Sequence, residues 1–212
     1  VVELVLPWKT AAPLIWLAPW KNVDPVVPHA VSLVGDLQGP LEQFADAAYS
    51  PDPAWGAARV AAFRHPLVKP LPQPAPGRLL PQQVLDALRA AFSPSTTLSV
   101  DVGSHKILSS LTWPTLAPNT FFLSNGLSSM GFGLPSAIGA HLAAPDQHAI
   151  CLIGDAGMAM VMGELDVVAQ RHLPILIVVF NDGALDLIRA QQLRAGKPVY
   201  GTTFDSPNFS QI

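Results

Sequence analysis

Two long apolar runs in this chain each end in an acidic residue, and that pattern limits the fold more than any other feature. The first is Ala149-Ile150-Cys151-Leu152-Ile153-Gly154, followed by Asp155. The second is Ile175-Leu176-Ile177-Val178-Val179-Phe180, followed by Asn181-Asp182-Gly183. Between them Val161, Leu165, Val168, Ala169 and His172 keep the three/four spacing of one helix face. Strand, helix, strand with short connections predicts a right-handed crossover and parallel pairing. Both strands then end at the same edge of the sheet, which brings Asp155 and Asp182 together. Two carboxylates there repel unless a proton or a cation intervenes. A hard divalent ion such as magnesium resolves the conflict, because it takes oxygen ligands and shares its shell with phosphate oxygens.

Composition narrows the class of protein. Half of the 212 residues are hydrophobic and the net charge is −3, so a substantial core is expected and no basic stripe is offered to nucleic acid. Cys151 is the only cysteine. A single cysteine excludes an internal disulfide and fits a reducing cytoplasm, and this one lies inside an expected buried strand, where a small core residue is the simplest reading. The apolar runs are strand-length, so no membrane span is expected. The start, Val1-Val2-Glu3, reads as a cut through a longer chain and not as a signal peptide.

Along the chain, residues 1 to 48 read as the C-terminal part of one α/β domain. Leu14-Ile15-Trp16-Leu17-Ala18 and Ala30-Val31-Ser32-Leu33-Val34-Gly35-Asp36 are strand candidates, and Leu41, Phe44, Ala45 and Ala48 give a short helix face. Residues 49 to 78, with Pro66, Pro70, Pro72, Pro74 and Pro76, read as a stiff extended linker. A second domain spans residues 79 to 212. Pro81 suits a first helical position, and Val84, Leu85, Leu88, Ala91 and Phe92 form a stripe. Leu98-Ser99-Val100 is a strand entering Asp101-Val102-Gly103-Ser104-His105. Ser124 to Gly133 is a Gly/Ser-rich loop, and Pro135 opens a small-residue helix. Leu185 to Leu193 reads as a helix and Gly196 to Ile212 as loop. The resulting expectation is α/β, a parallel sheet flanked by helices, cut at its C-terminal end and carrying a remnant of a second α/β domain.

Several motifs suggest phosphate chemistry. Gly154-Asp155-Ala156-Gly157 follows a strand and precedes a helix. Its small residues allow close backbone approach, and the free N–H groups of a helix start suit an anion. An ordinary strand-to-helix turn with Asp155 near the cap would look the same, but Asn181-Asp182-Gly183 at the end of the next strand favours the functional reading. His105 follows a strand and a glycine. Met130, Met158 and Met160 could equally be core filler. Asp186 and Arg189 are spaced as a helix-surface pair.

With these residues in place, the chain resembles the thiamine diphosphate-dependent enzymes, and among them the acetolactate synthases. The family's Gly-Asp-Gly, about two dozen residues and Asn-Asn become Gly154-Asp155-Ala156 and Asn181-Asp182 here. The resemblance implies that Asp155, Asp182 and the carbonyl of Ala184 hold magnesium. It implies that Gly103, Ser104 and His105 face the diphosphate, together with Gly154, Ala156, Gly157 and Asn181. It implies that the backbone near Ser128 and Met130 meets the aminopyrimidine, and that Met160 wedges between the cofactor's two rings. It covers almost all of residues 79 to 212, the thiamine diphosphate-binding fold; residues 1 to 48 look, more weakly, like the tail of the family's central domain.

The function so implied is decarboxylation of a 2-keto acid followed by carboligation, with thiamine diphosphate and magnesium. Val100-Asp101-Val102-Gly103-Ser104-His105 and the Met130-Gly131-Phe132-Gly133 run look most like acetolactate synthases. Gln191-Gln192, where biosynthetic members carry Trp then Gln, points to a catabolic or divergent one. A 2-keto-acid decarboxylase, a sulfoacetaldehyde acetyltransferase, a non-catalytic cofactor-binding relative and a phosphotransfer domain built on Asp155 and Asp182 are the alternatives. In the family the activating glutamate comes from an N-terminal domain of the partner subunit, and nothing here resembles it. No catalytic residue is therefore assigned in this chain, which is expected to be inactive alone. The resemblance further implies a homodimer or homotetramer. It leaves room for FAD, which nothing in residues 1 to 48 supports.

Overall fold

A computed structural model of the chain describes residues 13–21, 30–47, 52, 54, 56–64, 74 and 76–212. They fall into two compact units, the first ending at residue 64. In the first unit, strands β1 (Ile15–Ala18) and β2 (Val31–Val34) pair in parallel, with Ile15 opposite Val31. Helices α1 (Gln38–Asp46) and α2 (Ala57–Arg64) are its other described elements. The first three of these elements fall on the expected apolar runs. Helix α2 lies inside the stretch expected to be an extended linker. Its sequence, Ala57-Ala58-Arg59-Val60-Ala61-Ala62-Phe63-Arg64, holds strong helix formers and no proline, so local propensity accounts for it. Pro66, Pro70 and Pro72 lie outside the described residues.

The second unit is built on a four-stranded parallel sheet in the order β4-β3-β5-β6, comprising β3 (Thr97–Val100), β4 (Phe121–Leu123), β5 (Ala149–Gly154) and β6 (Ile175–Phe180). Between α3 (Pro81–Ala91) and α8 (Asp186–Arg194), helices α4 (Ser104–Thr112), α5 (Gly133–Ala143), α6 (Asp155–Val161) and α7 (Leu165–Gln170) connect the strands. The expected α/β class, with a parallel sheet flanked by helices, is therefore the observed one.

β5 is buried along nearly its whole length and sorts its side chains by the two-residue period of a strand. Ile150 and Leu152 join Leu98 and Val100 of β3, Leu85 and Leu88 of α3, and Trp113 in one core layer. Cys151 and Ile153 point the other way, into a layer with Leu134, Ala137 and Ile138 of α5 and Met158 of α6. Burial on both faces is why the run reads as continuous apolar sequence instead of alternating. The same burial pushes the Cys151 thiol up to about 12, helped by the nearby Asp101 charge, so this cysteine is a packed apolar group.

The chain departs from the expected single helix between β5 and β6. That segment is α6, a 3-10 turn at Met162–Glu164, and α7. Val161 leaves helical geometry (φ −127°, ψ 14°) just before Gly163, where glycine's low helix propensity gives little reason to continue. α5 begins at Gly133, two residues ahead of the expected Pro135. β4, three half-buried residues, has no counterpart among the expected elements.

The strand order fixes where a ligand can sit. From β3 the chain steps outward to β4, then returns past β3 to add β5 and β6 on the other side. The loops after β3 and β5 therefore leave the sheet in opposite directions and open a crevice at its C-terminal edge. Such reversal points are where open α/β sheets bind ligands. Leu152 is wholly buried at the centre of this arrangement. Truncating it to alanine is expected to cost about 2–5 kcal/mol, read as a lower urea midpoint in equilibrium unfolding.

Candidate functional site

A cavity of about 730 Å³ opens at this edge. Four short segments wall it. The turn from β3 into α4 contributes Gly103, Ser104 and His105, and the Gly/Ser-rich loop contributes Ser128 and Met130. The turn from β5 into α6 contributes Gly154, Asp155, Ala156 and Gly157, and the segment after β6 contributes Asn181, Asp182 and Ala184. Twelve of the thirteen residues singled out from the sequence thus meet around one space.

Met160 does not. It is 64% exposed and is no part of the cavity wall. Five residues at 100° each carry it about 140° around the helix from Asp155, so its side chain leaves α6 on a different face. Met130 is the methionine that lines the cavity.

The two acids are tied to the same backbone turn. Asp155 is 2% exposed. Its Oδ1 accepts from the N–H of Ala156 and its Oδ2 from the N–H of Gly183, both at 2.8 Å. The second bond joins the β5 and β6 loops directly. Asp182 accepts from the N–H of Ala184 at 3.1 Å. Partial burial raises the proton affinity of Asp182. The Ala184 N–H works against this, and the charges of Asp155 and Asp186 add to it. That like-charge tension is what parallel pairing of two acid-ended strands creates.

His105 is held by volume. Its ring lies 5.8 Å from the Phe180 ring. A Cβ at Gly103 would come within 2.7 Å of His105 Cε1, and one at Gly154 within 3.3 Å. The glycines on either side of the crevice therefore make room for an imidazole. Burial pulls the histidine below its ordinary value of 6.5, against the pull of the Asp101 backbone and the Asp101 and Asp155 charges. Its Nε2 is buried without a hydrogen-bond partner among the described residues.

Two further links escaped the sequence reading. Ser104 Oγ donates to Asp186 Oδ2 at 2.7 Å, linking the first wall of the cavity to α8. Asp186 also pairs with Arg189, as its spacing suggested. The Ser104 and Arg189 bonds hold the Asp186 carboxyl below the usual range. Asp101 is fully buried and bonds the glycine-rich loop. The available signal was that Asp101 ends β3 as Asp155 ends β5.

The site offers two carboxylates and a nearby backbone carbonyl at Ala184 for a hard cation. Among the described residues there is no group of three or more His, Cys, Asp or Glu side chains placed for a metal, so any ion here takes part of its shell from a ligand or water. The unpartnered Nε2 of His105 and the start of α6 suit an anion beside that ion. A magnesium-bound diphosphate fits this donor set.

Fold and site together define an α/β domain with a ligand-sized cavity at the carboxyl edge of its sheet. The family description "Thiamine pyrophosphate enzyme, C-terminal TPP binding domain" matches residues 101–212, and the chain belongs to that family. It is 34% identical over 131 residues to the acetolactate synthase isozyme 1 large subunit of Escherichia coli (strain K12), covering 61% of this chain and 23% of that protein. It is 34% identical over 139 residues to a probable acetolactate synthase large subunit of Methanococcus aeolicus, covering 62% and 23%. Against a putative thiamine pyrophosphate-containing protein YdaP of Bacillus subtilis (strain 168) it is 36% identical over 132 residues, covering 62% and 23%. The chain thus spans about a quarter of the length of these relatives.

Two outcomes follow from the histidine seat. The fold favours neutral His105, so its contribution to stability is full above pH 6.5 and is lost as pH falls below that value. Thermal midpoints measured from about pH 8 to 5 should fall less steeply in His105→Gln than in the parent. Separately, Gly103→Ala should be destabilising, and His105→Ala should relieve that cost. A double-mutant cycle measures the relief as a non-additive coupling.

Proposed function

We propose that this chain supplies the diphosphate and magnesium end of a thiamine diphosphate-dependent enzyme that decarboxylates a 2-keto acid and joins the product to a second 2-keto acid, as an acetolactate synthase does. The observation that carries this reading is the single cavity where Asp155, Asp182, Ala184 and His105 meet, within a domain of the thiamine pyrophosphate family. Asp155, Asp182 and the Ala184 carbonyl would hold magnesium. Gly154, Ala156 and Gly157 at the start of α6, with Gly103, Ser104, His105 and Asn181, would hold the diphosphate. Bound thiamine diphosphate supplies an electron sink for breaking the bond between a carboxylate and a keto carbon.

The protein's task at this end is orientation. Asp155 fixes the β6 loop through Gly183, so the two acids keep a constant spacing. Ser128 and Met130 form the wall that would receive the aminopyrimidine. Met130, and not the exposed Met160, supplies apolar bulk to that wall. Fixed orientation of reacting groups lowers barriers by several kcal/mol, on the order of 7–11 in favourable cases.

The relatives' names support an acetolactate synthase-like reaction over a phosphotransfer domain. Partner copies of the chain and a glutamate from an N-terminal domain belong to the same proposal, as does a location in the cytoplasm. Among the described residues no helix is long and apolar enough to cross a membrane.

Titration of the full-length protein with thiamine diphosphate tests the reading. Binding should require magnesium, vanish on chelation and weaken at least about 100-fold in Asp155→Ala, as expected when a buried charged contact of roughly 3 kcal/mol is lost. Binding that ignores both magnesium and Asp155 would remove the basis of the proposal, and pyruvate that yields no acetolactate at saturating cofactor would redirect the substrate assignment.

A further inference from the structure

The segment from Asp101 to Lys106 walls one side of the cavity, yet its two charged side chains turn to another segment. Both reach the glycine- and serine-rich loop of residues 124–133. Asp101 accepts from the N–H of Gly131 through Oδ2 and from the N–H of Gly133 through Oδ1, each at 3.1 Å. The carboxylate is wholly buried, and a Cβ at Gly157 would overlap its Oδ2, so it has no space to move toward α6. Lys106 Nζ donates to the carbonyl of Ser124, and to Ser128 Oγ at 3.3 Å. Ser128 has a left-handed backbone, φ 52°, which costs a serine energy and needs support from its surroundings. That support is present: Ser128 Oγ donates to the Ser124 carbonyl at 3.2 Å while accepting from Lys106.

The loop is therefore gripped at its start by an ammonium group and at its end by a carboxylate, five residues apart on one short segment. The chemistry of each suits its end. An ionised carboxylate accepts only, so its two oxygens serve two backbone N–H groups that lie two residues apart. An ammonium donates only, so it meets a carbonyl and a hydroxyl. Between these anchors lie Ser128 and Met130, which line the cavity across from Ser104 and His105.

We propose that Asp101 and Lys106 are positioning residues that clamp loop 124–133 to the β3–α4 turn, fixing the distance between the cavity wall at Ser104 and His105 and the wall at Ser128 and Met130. This rests on the proposed cofactor reading, in which the first wall faces the diphosphate and the second faces the ring. The clamp sets the spacing of the two ends: a ligand that spans both walls depends on it, whereas one that meets only the phosphate wall does not.

The test uses the full-length protein and two independent readouts. In the first, amide hydrogen exchange is followed without cofactor. Lys106→Met should speed exchange of residues 124–133 about tenfold, the effect of losing a charged hydrogen bond. Exchange in β6 should stay as in the parent, and Lys106→Arg should restore much of the loop's protection. In the second, magnesium with inorganic pyrophosphate is titrated beside magnesium with thiamine diphosphate. Lys106→Met should weaken thiamine diphosphate about tenfold and leave pyrophosphate within about twofold. Asp101→Asn should act in the same direction, because the amide can serve only one of the two N–H groups. Lys106 is half-buried, so Lys106→Met decides the question even where Asp101→Asn does not fold. Unchanged exchange in the loop, or equal losses for both ligands, would overturn the clamp. A parent protein that binds neither ligand would end the cofactor reading, and the exchange result would still decide the clamp.

Discussion

The parallel pairing of β5 between β3 and β6 is the constraint on which the rest depends. It sets Leu152 beside Val100 and Gly154 beside Phe180. All three strands therefore end at one edge, and each is followed within two residues by an acid: Asp101, Asp155 or Asp182. The three carboxylates share the edge without sharing a role. Asp101 is used up by backbone N–H groups of the glycine-rich loop. Asp155 bridges its own helix start and the next loop. Asp182, the least enclosed, bonds among the described residues only the Ala184 N–H in its own turn. Going from Asp101 to Asp182, the acids pass from structural fixing toward availability for a cation.

The legible parts of the fold were those where burial leaves a periodic or continuous trace. β5 reads as an unbroken apolar run because both of its faces are covered; β6, at the end of the sheet, is only half-buried with Leu176 exposed, yet its run is as apolar, and the acids after both followed from register alone. β4 left no such trace, since three half-buried residues, Phe121 to Leu123, show neither alternation nor length. The break at Met162–Glu164 was hidden because the residues on either side keep the helical spacing of one face although the backbone does not stay helical. α2 was obscured by the prolines around it.

The site was legible to a similar degree and for similar reasons. Residues at strand ends could be placed because topology delivers them to the edge whatever their side chains do. Residues whose contribution depends on direction could not. Met160 was placed by counting along the chain, whereas a helix distributes positions by angle. Gly103 and Gly154 suggested room for a phosphate, but the nearest atoms to their missing side chains belong to His105. Lys106 looked like any charged residue on a first helical turn, because nothing local announces that its partner is the carbonyl of Ser124, far along the chain.

The seat of His105 has one more consequence. Ordinarily a polar group must shed its hydration shell when a ligand arrives, and that cost offsets most of the new hydrogen bond's strength. Here folding has already stripped Nε2 of solvent, wedging the imidazole between two bare α-carbons and a phenyl ring. The dehydration cost is met once, during folding, and lowers the domain's own stability. An oxygen that reached that nitrogen would then pay only for its own dehydration.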